Sequence, residues 1–101
     1  MINQPLALIF ERDLLKLKEE ISLYKDETHL WLVEKSVSNS AGNLALHLIG
    51  NLNHFIGAIL GNTGYVRERD KEFTDKNIPR EKNLADIDDT IIMVKNTLLN
   101  L

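Results

Sequence analysis

From Asn39 to Gly61 the chain reads NSAGNLALHLIGNLNHFIGAILG, a stretch with helical periodicity and not one charged side chain. Ala45, Leu48, Leu52, Ile56 and Ile59 centre on one face, and Leu44 and Phe55 flank it. A helix that is apolar or small nearly all the way round is a buried central helix, touched by neighbours on more than one side. The pattern predicts a helix over about 40–61, with Asn39 or Ser40 as its cap. Gly61 and Gly64 can supply the positive φ angles that end it.

Two amphipathic segments lie on either side. Leu6, Phe10, Leu14, Leu17, Ile21 and Tyr24 recur at spacings of three and four, with Glu, Lys, Arg and Asp on the other faces. Pro5 suits a first turn, where its missing N–H would be unpaired anyway, so this helix is expected over about 5–24. Leu84, Ile87, Ile91, Val94, Leu98 and Leu101 form a heptad-like seam and predict a helix over about 83–101. Asn83 is its expected cap, and Asp86, Asp88 and Asp89 fall where the helix dipole favours acids.

Between these segments, residues 25–38 read as a connection anchored by Trp31, with room for a short helical turn. Residues 62–82 form a long polar connection. Together the elements predict one all-α domain over residues 1–101, an antiparallel up-down bundle in which the outer seams pack on the central helix.

Composition narrows the function. Twelve basic against fifteen acidic residues give a net charge of −3, which does not favour a nonspecific grip on nucleic acid or an anionic membrane. A helix-turn-helix reading also fails, because the central helix has no Arg or Lys to read bases. The absence of cysteine excludes a disulfide scaffold, a thiol nucleophile and thiolate metal sites, and is compatible with a reducing cytosol. Near the N-terminus the uninterrupted apolar run spans only Leu6 to Phe10, too short for a signal peptide or a membrane span. A cytoplasmic location is expected. No Gly-rich phosphate cradle, serine nucleophile motif or paired-carboxylate constellation is present, so no catalytic residue and no small-molecule substrate can be assigned.

Polar residues on so apolar a helix need a reason. His47, Asn51, His54 and Ala58 share a narrow stripe at helical spacing. His47 and His54 are two turns apart, roughly 10 Å along the axis, and would not readily converge on one ion. Either they are partly buried histidines bonded to neighbouring groups, or one of them is a ligand completed from elsewhere; Asn51 and His54 are candidate pocket residues. Gly50 and Gly57, beside the stripe, mark either close helix approach or room for a ligand. In the following connection Arg67, Arg69, Asp70 and Glu72 could bind an anion, but alternating signs are also read as ion pairs fixing a long loop, with Phe73 as its apolar anchor.

The elements Asn39-Ser40, Asn43-Leu44, His47-Leu48 and Gly50-Asn51, followed by the run Arg67 to Phe73, resemble the DinB-like superfamily of bacterial four-helix proteins, and more narrowly an uncharacterised branch of it. The resemblance covers essentially the whole chain as the first three helices of that fold. It implies a divalent metal, nickel, zinc, iron or manganese, held by three histidines, the first at His47 and two from a fourth helix. Such a centre would serve metal-dependent hydrolysis or group transfer. His54 does not match a ligand position, and these residues contain no fourth helix with paired histidines, so the metal site is expected to be incomplete. The chain is then either a truncated form of a longer protein or a naturally short version. In both cases an uncovered apolar face is expected to drive homodimerisation. The alternative is a noncatalytic helical oligomerisation or interaction module in which the same stripe is structural.

Overall fold

The computed structural model describes residues 3–33 and 39–101, and all its regular elements are helical. Helix α1 spans Asn3–Ser22, and a 3-10 turn covers Glu27–Trp31. Helix α2 spans Ala41–Leu52 and continues as a π-helical segment, Asn53–Leu60. A short helix, α3 (Arg69–Thr74), interrupts the polar connection, and α4 spans Arg80–Leu99. The expected Trp31 connection lies partly outside the described residues, because residues 34–38 are not among them. Trp31 itself is buried, and its ring lies over Gly42, where a Cβ would come within 2.7 Å of Cε3.

The core follows the seams except at their outer ends, where Leu6 and Leu101 are exposed. Ala7, Leu14 and Ile21 of α1 recur every seventh residue and are buried against Ile87, Ile91, Val94 and Leu98 of α4. Ala45, Leu52 and Ile56 close the core from the α2 side. It is α4, rather than α2, that sits centrally, packing along α1 on one side and along α2 and its π-helical continuation on the other.

Side-chain pairs give the helix directions. Lys95 bonds Glu11 at 2.8 Å and Lys18 bonds Asp88 at 2.9 Å, so residue numbers rise along α1 as they fall along α4. Those two helices are antiparallel. Asn53 meets Thr90, Gly57 meets Met93 and Gly61 meets Thr97, so numbers rise together and α2 runs parallel to α4. A simple up-down order would have made the third long helix parallel to the first. The difference has a physical cause in the connection 61–79, which can reach about 60 Å when extended, roughly twice the length of α2 with its π segment. It returns along α2 and starts α4 at the same end.

Three local expectations change. Asn83 is not a cap: α4 begins at Arg80 after Pro79, and Asn83 is fully buried, with neither Oδ1 nor Nδ2 bonded among the described residues. Asp86, Asp88 and Asp89 consequently lie beyond the first turn, where Asp86 pairs with Lys82 and Asp88 with Lys18. At the end of the π segment the left-handed φ of 53° belongs to Asn62, and Gly64 has φ 82°. Gly61 stays right-handed and is needed instead for close approach, since a Cβ there would be 2.7 Å from Thr97 Oγ1.

Candidate functional site

Ser40 caps α2 as expected, its Oγ accepting from Asn43 N–H at 3.1 Å. The same hydroxyl donates to Asn43 Oδ1 at 2.7 Å, which also accepts from Lys76 Nζ. Thus oriented, the Asn43 amide donates to the backbone carbonyls of Glu72 and Asp75 at 3.0 and 2.9 Å. One buried side chain therefore fastens the last turn of α3 to the first turn of α2. Satisfying a buried amide on both sides is worth far more than either bond alone, because each group left unpaired would carry its full desolvation cost.

Two turns along, α2 presents Gly50 to the Glu72 side chain. A Cβ at Gly50 would overlap the carboxylate, with Cδ only 2.5 Å away. The glycine admits a carboxylate rather than a helix. Arg67 grips it with two bonds of 2.9 Å, Nε to Oε2 and Nη2 to Oε1. His47 Nδ1 lies 3.1 Å from Oε1 and 3.4 Å from Arg67 Nη2. The Glu72 side chain is 7% exposed and Arg67 12%, whereas the His47 side chain is 35% exposed. Burial alone would push the Glu72 carboxyl up; the hydrogen bonds from Arg67 and His47, with their charges, outweigh it and hold the group below the usual glutamate range.

This geometry fixes the imidazole. In the neutral tautomer whose Nδ1–H donates to this carboxylate, the lone pair falls on Nε2, which has no hydrogen-bond partner among the described residues. The Phe73 ring lies 5.4 Å from the imidazole centroid and is half-exposed, so it covers His47 rather than anchoring the loop in the core.

The other candidate residues divide. Asn51, on the same side of α2, makes no side-chain hydrogen bond among the described residues, and His54 packs edge-on against Phe55 with centroids 4.7 Å apart. Neither joins the His47 cluster. In the connection, Arg67 and Glu72 turn inward to His47, while Arg69 and Asp70 are exposed. Glu68 pairs with Lys71 at 2.8 Å. The Arg67 donors facing the cluster are occupied by Glu72.

Asn43 and Lys76 were not among the expected site residues. A buried Asn three positions after a serine cap is a usable signal for a strap that needs both faces of an amide, but nothing in the sequence names its acceptors. Beside the clamp, Leu46, Ile49, Tyr65, Val66 and Ile78 share the lining of an open cleft of about 270 Å³ with charged residues that include Glu72. That is just below the usual size of a small-molecule pocket, roughly 300–1,000 Å³.

The described residues contain no group of three His, Cys, Asp or Glu side chains placed to hold a metal ion. No described helix is long and apolar enough to cross a membrane. Comparison with protein-family models, curated proteins and solved structures returned no match.

Proposed function

We propose that this is a DinB-like helical-bundle protein that binds a divalent metal through His47, in the cytoplasm and as a homodimer. The observation that carries the reading is the Glu72–His47 pair. Metal-ligating histidines characteristically donate their second ring N–H to a carboxylate, which sets the tautomer and raises ligand basicity. Here Glu72, itself locked by Arg67, occupies that place, and Nε2 of the partly exposed His47 has no partner among the described residues. His47 would supply one ligand, and the others would come from outside these residues. A nickel, zinc, iron or manganese ion completed in this way would supply Lewis-acid activation of a water or thiol, the chemistry of a hydrolase or transferase. This chain's own part is to hold one imidazole in a fixed tautomer and orientation.

A second reading has its own support. The cluster also fastens the crossover strap to α2, and α2 exposes large apolar side chains beside it, which suits a noncatalytic association module. Titration calorimetry with a Ni²⁺ chelate that keeps coordination positions open separates the two, because the chelator stands in for the ligands these residues lack. Metal binding through His47 gives stoichiometric heat that His47→Ala abolishes and Glu72→Gln weakens by about 10–100-fold, with circular dichroism confirming that the variants fold. Binding that survives His47→Ala overturns the assignment, and no binding by the intact chain leaves the module as the better reading.

A further inference from the structure

The uncharged stretch is expected to form a buried central helix with neighbours on more than one side, yet Leu44, Leu48, Phe55 and Ile59 are between 37% and 60% exposed. Helical spacing puts them on one side of α2, next to the buried face that includes Ala45, Leu52 and Ile56. The π-helical segment contributes to this alignment. Its i→i+5 bonding widens the turn and keeps Phe55 and Ile59, four apart, at neighbouring positions on that side.

The row is close to palindromic. About a point between Asn51 and Leu52, Leu44 is the counterpart of Ile59 and Leu48 the counterpart of Phe55. We propose that two copies of the chain pair antiparallel through this face of α2, on a two-fold axis beside Asn51. Leu44 then packs on Ile59 of the partner subunit, and Leu48 on the partner's Phe55. The two Asn51 side chains meet at the axis.

Three properties of the face commit it to a second copy. A primary amide is both donor and acceptor, so Asn51 is complementary to itself, and a single polar residue in an apolar seam fixes register. No formal charge lies on the stretch, so like faces meet without repulsion and nothing on it selects an acidic or basic partner. Covering the exposed parts of these four side chains would remove on the order of 350 Å² per copy, about 700 Å² in all, below the roughly 1,200 Å² at which standard specific interfaces begin. The pairing is therefore that of a weak, concentration-dependent dimer.

The inference rests on the homodimer reading given above, and the absence of native cysteine lets experiment separate the two. Sedimentation equilibrium should show a monomer–dimer equilibrium, and Phe55→Glu should raise its Kd by at least about tenfold while far-ultraviolet circular dichroism stays unchanged. Under mild oxidation Asn51→Cys should cross-link across the axis. The pair Leu48→Cys with Phe55→Cys should cross-link as well, and Leu48→Cys alone should not. A dimer that resists Phe55→Glu, fails to cross-link through Asn51→Cys, or links through Leu48→Cys alone overturns this surface and leaves the homodimer standing. A chain that stays monomeric at several hundred micromolar overturns both.

Discussion

Gly50→Ala tests the clamp at its tightest point, because two effects of known sign oppose each other. In an exposed helix the change would stabilise by up to about 1 kcal/mol through helix propensity. Here the new methyl group would occupy the space of the Glu72 carboxylate, whose Cδ lies 2.5 Å from the built Cβ position. Glu72 would have to leave both Arg67 and His47, and separating one partner of a buried, hydrogen-bonded ion pair costs about 3–5 kcal/mol. The displaced carboxylate can reach solvent and the helix gains its propensity term, so the net loss is expected at about 2–4 kcal/mol. For a domain of this size that is a fall in Tm of roughly 10–25 °C. Urea denaturation of Gly50→Ala, Glu72→Ala and the double variant isolates the cause. With the carboxylate gone, adding the methyl should be neutral or stabilising, a coupling of at least about 2 kcal/mol between the positions. If Gly50→Ala is as stable as the parent, or if the two losses simply add, Glu72 does not sit against Gly50 in the way described.

Two further perturbations address the core and the acid limb. Asn83→Leu should stabilise by about 1–3 kcal/mol in urea denaturation, because the present amide is fully buried and unbonded among the described residues. A loss of stability would mean that Asn83 is satisfied. Because the Glu72 carboxyl is held below its ordinary range, the stability it contributes is complete above the unfolded value of about pH 4.3 and disappears as pH falls through the lower folded value. The stability difference between the parent and Glu72→Gln should therefore be largest near neutral pH and shrink below about pH 4.3. A difference that is flat with pH, or grows in acid, refutes an ionised Glu72.

What was legible in the sequence was what depends on local periodicity. The seams of α1 and α4 place Leu14, Ile21, Ile87, Ile91, Val94 and Leu98 in the core because a helix of period 3.6 carries its buried face in the spacing itself. The long helices begin and end within a few residues of where caps and prolines put them. Direction was not legible. A loop of a dozen and a half residues is compatible with either sense, and the bonds that choose, Asn43 to Glu72 and Asp75 and Asn53 to Thr90, join positions some thirty or more residues apart. The cap of α4 was misplaced for a related reason. Asn83 has the residue type of a cap, but Pro79 fixes the start earlier, and an Asn inside the first turns is indistinguishable from one at the boundary until burial is known.

The site was half legible. His47 stood out because it is polar on an apolar helix, and Arg67 and Glu72 because they alternate in sign, but the link between them is Gly50, which carries no chemistry of its own. Absence of charge on α2 accordingly has a different cause from burial all round. One sector packs on α4 and is apolar in the ordinary way. A second is polar but neutral, since Ser40, Asn43 and Gly50 receive groups whose charges are brought by the strap: Glu72, Arg67 and Lys76. A Lys or Glu on that sector of α2 would compete for the same partners and leave a buried ion unpaired, which costs more than any surface pair returns. The third sector is the open row from Leu44 to Ile59, where neutrality serves contact with another surface. His47 lies at the border between the second sector and the third. Its Nδ1 belongs to the strap and its Nε2 to whatever meets the open face, so the metal reading and the association reading place demands on the same side of the same helix.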